Sequence, residues 1–169
     1  MPNYEFSTED VEYLRHGDKP LIARLYKPKG EGPFPAVIDL HGGAWNSGDL
    51  TGTQGLDQTL AKNGFVVASL NFRHAADGYP NTLIDINYAI RWLKARARDL
   101  KIRPDQIGIA GQSSGGHLAM LAAMRPNDSR YASIPLPAGS PAVDATVRAV
   151  SMSWPVTSTR SHVIAMPRS

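Results

Sequence analysis

The chain has 169 residues, 42% hydrophobic and 20% charged, with a formal net charge of +3. That balance fits one soluble globular domain able to bury a sizeable core, and excludes a disordered or low-complexity chain. There is no cysteine, which excludes disulfides, thiolate metal sites and a cysteine nucleophile.

The basic residues are spread along the chain. Their densest group, Arg91, Lys94, Arg96, Arg98 and Lys101, falls mostly on the polar side of a predicted helix, the pattern of a solvated face rather than a nucleic-acid site. No run is long and apolar enough to span a bilayer. The first ten residues lack the basic and then apolar order of a secretory signal, so a cytoplasmic location is expected.

In chain order, Val11-Glu12-Tyr13-Leu14 and Leu21-Ile22-Ala23-Arg24-Leu25-Tyr26 have β character and flank a turn-like stretch, which predicts a hairpin. After a polar connector, Ala36-Val37-Ile38-Asp39-Leu40 predicts a strand leading into His41-Gly42-Gly43-Ala44-Trp45. A helix is expected over residues 51–63, with Leu56 and Leu60 on one face and Gly64 ending it. Phe65-Val66-Val67-Ala68-Ser69-Leu70 is the next strand. A long helix is expected from Pro80, with Leu83, Ile86, Ile90, Leu93, Ala97 and Leu100 on one face and Pro104 as its stop. Ile107-Gly108-Ile109-Ala110 reads as a buried strand and Leu118-Ala119-Met120-Leu121-Ala122-Ala123-Met124 as a buried helix. Residues 127–144 read as an extended surface segment and residues 147–154 as a final strand. Strands alternating with helices imply a mostly parallel sheet covered on both faces.

Between that buried strand and helix lies Gly111-Gln112-Ser113-Ser114-Gly115-Gly116-His117. A Gly-x-Ser-x-Gly turn in a strand, turn, helix order is the nucleophile elbow of α/β-hydrolases, in which glycines let backbones pass closely and the serine projects from the sheet end. Ser113 is the candidate catalytic nucleophile. Acyl transfer to a serine also needs donors where the carbonyl oxygen becomes negative. The backbone amides of Gly42, Gly43 and Ser114 are the candidate oxyanion hole.

The order His-Gly-Gly-Ala-Trp, then Asn71-Phe72-Arg73 with Tyr79-Pro80, then Gly-Gln-Ser-Ser-Gly-Gly-His resembles the hormone-sensitive-lipase-like carboxylesterases of the α/β-hydrolase superfamily. Kynurenine formamidase shares the first and last motifs. The resemblance covers residues 36–154, with Ser114 where the family often has alanine and Ala76-Asp77 where it often has Pro-Glu. It implies a three-layer, mostly parallel α/β-hydrolase sheet, of which this chain carries the N-terminal part. It implies hydrolysis of a small-molecule carboxylic ester through a serine acyl-enzyme, with no metal or organic cofactor. An aryl-formamide hydrolase is the same-class alternative, and a non-catalytic fragment retaining only the elbow is the other. His117 reads as a packing residue behind the elbow, His41 and His74 as loop-shaping residues, and His16 as part of a turn.

In the superfamily the triad acid and histidine follow the serine in that order. Here no Asp or Glu follows Asp144, and His162 is the one histidine after His117, so both triad partners are expected to lie outside this sequence. The partial domain is expected over residues 1–155, its last strand leaving an edge prone to association. Residues 156–169 suit neither helix nor strand well. Their degenerate codons, read one base out of register, permit Val-Asp-Pro-Leu-Ser-Arg-Tyr-Arg-His-Ala, which resembles how these esterases continue. A frameshifted tail is therefore expected, with ester turnover at or near background.

Overall fold

The computed structural model describes residues 3–153. Strands β1 (Phe6–His16) and β2 (Lys19–Pro28) form the predicted hairpin. Gly17 turns at φ 57° in its two-residue loop. The hairpin is longer than its apolar runs suggest, because β1 is an edge strand whose polar residues pair across to β2: Arg24 with Asp10 at 2.7 Å, and Lys27 with Glu9. Charged side chains on an exposed edge also discourage pairing with another chain.

Strands β3 (Phe34–Leu40), β4 (Val66–Leu70), β5 (Ile102–Gln112) and β6 (Ala149–Ser153) run parallel, and the sheet order is β1-β2-β4-β3-β5-β6. From β3 the chain passes through α1 (Gln54–Lys62) to β4 on one side. It then returns through α2 (Asn81–Ala95) to β5 on the other side of β3. Right-handed crossovers in opposite directions put the two helices on opposite faces of the sheet. Alternation along the strands agrees. Ala36, Ile38, Leu40, Ala68 and Leu70 face the large core beneath α2 and α3 (Ser114–Met124), whereas Tyr26 and Val67 form a small cluster with Ala61 of α1. A reversal of strand order leaves a crevice at the carboxyl ends of the strands, here above β3 and β5.

Three expectations need correcting. In α1 the buried positions are Asp57 and Ala61, while Leu56 is 50% exposed. The helix is turned by one residue, about 100°, from the face its two leucines suggest. Its entry is tied down by Thr53, whose hydroxyl donates to Asp39 on β3. Helix α2 ends at Ala95, and Leu100 reaches the core from the turns that follow. Pro104 does not stop that helix but lies within β5, where the register against β3 shifts from Phe34↔Ile102 to Ala36↔Ile107. An irregular stretch of strand tolerates a residue with no amide proton.

Residues 127–144 run without helix or strand and are mostly exposed or half-buried, as expected, and the segment is anchored at points. Tyr131 is buried, and Arg91 of α2 donates to the Ile134 carbonyl at 2.8 Å. Among the described residues β6 is an edge strand, and Val150 and Met152 are 39% and 40% exposed. The expected irregular tail, residues 156–169, lies outside the described residues. No helix among those described is long and apolar enough to cross a membrane.

Candidate active site

The end of β5 is built for a sharp reversal. Leu40 on β3 is the register partner of Gly111 on β5, so the two glycine motifs leave neighbouring parallel strands at the same end of the sheet. Ser113 sits between β5 and α3 at φ 55°, ψ −122°, a region that side chains rarely occupy and that marks sites where function imposes strain. The turn closes because two glycines carry no Cβ. One on Gly111 would lie 2.3 Å from the Gly115 carbonyl oxygen, and one on Gly115 would lie 2.1 Å from that of Leu40. The Ser113 amide donates to Ser153 of β6 at 2.9 Å, which ties the elbow to the sheet edge.

Of the three candidate oxyanion residues, Gly42 lies against this turn, Ser114 within it, and Gly43 next to Gly42 in a turn of its own loop. A Cβ on Gly42 would stand 3.3 Å from Ser113 Cβ and 3.0 Å from the Gln112 carbonyl, so the Gly42 backbone lies directly against the elbow. Gly43 adopts φ 126°, and its carbonyl accepts the amides of Asn46 and Ser47 at 3.1 and 3.0 Å. Ser114 is buried as the first residue of α3, where helix geometry leaves its amide without an intrahelical acceptor.

The histidines stand as follows. The His41 ring stacks on Phe72 with centroids 4.3 Å apart, and Nδ1 donates to the Gly42 carbonyl at 2.7 Å. Burial pushes its pKa down. His41 thus shapes the loop from within. His16 is more than part of a turn: its Nε2 meets Asp85 of α2 at 2.8 Å. Asp85 is fully buried and also accepts Arg73 through the backbone amide at 2.9 Å and the guanidinium at 2.7 Å. This network fastens the β4–α2 loop to α2, and it was visible in sequence only as the isolated Arg73 and Asp85.

His117 lies on α3 one turn after Ser113, with Nδ1 3.3 Å from the indole nitrogen of Trp45. The two rings wall an apolar pocket of about 210 Å³ together with Tyr79, Leu83 and Leu121. Sequence reasoning did not assign Trp45 a role, although it closes the His-Gly-Gly-Ala-Trp motif. Of the carboxylates after Ser113, Asp128 pairs with Arg130 at 2.6 Å and Asp144 with Lys94 at 2.7 Å. Both are held at about 2 by these hydrogen-bonded cations, as surface ion-pair partners.

Comparison with known proteins bears on the family and the fold. The BD-FAE family model matches residues 24–157. The probable carboxylic ester hydrolase LipM of Mycobacterium tuberculosis is 38% identical over 126 residues, covering 72% of this chain and 29% of LipM. Esterase LipC of the same organism is 37% identical over 119 residues, 68% of this chain and 29% of LipC. The chain therefore spans about three tenths of the length of these relatives. Among solved structures, butyrate-bound esterase 2 of Thermogutta terrifontis superposes with a TM-score of 0.76 at 25% identity, covering 95% of this chain and 59% of that one. A bacterial heroin esterase superposes with a TM-score of 0.71 at 25% identity, covering 89% and 44%.

Proposed function

The chain belongs to the BD-FAE family of α/β-hydrolase-fold proteins, and from that membership and its elbow we propose that it carries the nucleophile half of a carboxylic-ester hydrolase. Ser113 Oγ attacks the ester carbonyl. The carbonyl oxygen becomes an oxyanion held by the amides of Gly42, Gly43 and Ser114, and its collapse expels the alcohol and leaves an acyl-serine that water hydrolyses. The apolar pocket beside Trp45 and His117 suits a small hydrocarbon group of the ester.

On this reading the triad acid and base that would take the serine proton lie outside the described residues. His41 is stacked and bonded to its own loop, His117 is engaged by Trp45, and Asp128 and Asp144 are held in ion pairs. The observation that carries the reading is the strained Ser113 backbone with Gly42 pressed against it.

An alkyl fluorophosphonate tests it. Mass spectrometry is expected to find one adduct, on Ser113 and not on Ser114, and Ser113→Ala is expected to remove it. Labelling proceeds slowly without a general base, because oxyanion stabilisation alone leaves a residual rate about 10³–10⁴-fold above water. An intact, folded chain that never labels at Ser113 would overturn the reading.

A further inference from the structure

The loop after β3 takes positive φ at three successive residues, and at the last two against preference: Gly43, Ala44 and Trp45 have φ of 126°, 50° and 65°. Glycine takes such values freely, whereas the Cβ of alanine and tryptophan disfavours them. Contacts from outside must hold these residues there. The Ser47 hydroxyl donates to the Gly43 carbonyl at 2.9 Å, and the Trp45 carbonyl accepts the Ala75 amide at 2.8 Å. The side chain of Trp45 is held separately. Its indole N–H donates to His117 Nδ1 at 3.3 Å, and the rings meet edge to face at 5.8 Å and 90°. The His117 amide in turn donates to the Ser113 carbonyl at 3.3 Å. The indole–imidazole contact therefore joins the strained loop to the helical turn that carries the nucleophile.

We infer that His117 is a positioning residue: its Nδ1 lone pair holds the Trp45 indole, and through it the backbone of residues 43–45, against the elbow. The inference rests on the Ser113 reading above. Its chemistry requires the imidazole proton on Nε2, since only an unprotonated Nδ1 accepts. Burial pushes the His117 pKa down and so preserves that form toward acid pH. Facing it across the pocket are Ala75, Thr82, Leu83 and Tyr79, the last being the one other titratable side chain among the described residues that line it. Protonation of Nδ1 turns the acceptor into a donor, so the contact is lost in acid and returns as pH rises.

Three variants separate positioning from packing. His117→Asn keeps an acceptor near the Nδ1 position and cannot titrate in this range. His117→Leu keeps bulk and removes the acceptor, and Trp45→Phe keeps a ring and removes the donor. Fluorophosphonate labelling of Ser113 is expected to stay within about threefold of the native rate in His117→Asn and to fall about tenfold in each of the other two. In nitrogen-resolved NMR of the native chain, the Trp45 indole and Gly43 amide signals should move together on acidification, at a pH below the ordinary histidine range. That step should be missing in His117→Asn, and the Gly43 signal should sit at its acid position at all pH values in His117→Leu. Native labelling rates in both His117→Leu and Trp45→Phe, or a Gly43 signal indifferent to His117, would overturn the inference. If Ser113 fails to label in the native chain, the nucleophile reading falls instead, and the Gly43 signal still decides the positioning.

Discussion

Gly115→Ala is expected to destabilise the fold by about 3 kcal/mol or more. The new Cβ would stand 2.1 Å from the Leu40 carbonyl oxygen and 2.5 Å from that of His41. Both atoms are backbone at the end of β3, so no side chain can swing aside. Either α3 lifts off the strand or β3 loses its pairing with β5, and each outcome also separates Gly42 from Ser113. Gly55→Ala is the natural control. It lies in α1, a Cβ there meets nothing within 4 Å, and the gain in helix propensity should stabilise by about 0.5 kcal/mol. Urea denaturation of both variants checks the contrast, and an unchanged midpoint for Gly115→Ala would contradict the close passage of the two motifs.

Asp57→Asn should raise stability at pH 8 by roughly 2–4 kcal/mol while changing little at pH 4. Asp57 is fully buried under the small cluster formed with α1, and neither carboxyl oxygen has a hydrogen-bond partner among the described residues. The hydroxyls that could serve it are committed elsewhere: Thr53 to Asp39, and Ser69 to the Leu50 carbonyl at 3.0 Å. Burial, reinforced by the charge of Asp39, pushes the Asp57 carboxyl up to about 7. The buried Tyr26 hydroxyl beside it also lacks a partner among the described residues.

The sign follows from proton binding. In the unfolded chain this group ionises near 3.8, so between about pH 4 and 7 the folded state binds more protons than the unfolded one. The contribution of Asp57 to stability is present below 3.8 and is lost as pH rises through about 7. Asparagine fills the same space and carries no charge at any of these values. Denaturation midpoints of the native chain and Asp57→Asn should therefore diverge as pH rises, and parallel profiles would show that the carboxyl is solvated after all.

The sequence by itself determined the order of the elements and the two glycine motifs. Strands such as Phe65-Val66-Val67-Ala68-Ser69-Leu70 are continuous apolar runs, as a sheet buried on both faces requires. The stretch from Gly111 to Gly115 is a steric statement: it demands positions without Cβ wherever the folded backbones touch. Local periodicity decided less. The leucine pair of α1 pointed to the wrong face, because the helix orientation is set by Thr53 meeting Asp39, residues 14 apart in sequence. The end of α2 was misplaced because Leu100 keeps the apolar spacing after the helical hydrogen bonds have stopped.

What only the tertiary structure decided is what each polar side chain near the site does. His16, Arg73 and Asp85 meet across up to 69 residues of chain, and Trp45 reaches His117 across 72. Such pairings are created by the strand reversal around β3, which brings the ends of non-consecutive elements to one crevice. A motif carries its own backbone geometry in its residue types, whereas a hydrogen-bond partner from a distant element is specified by the packing of the whole sheet.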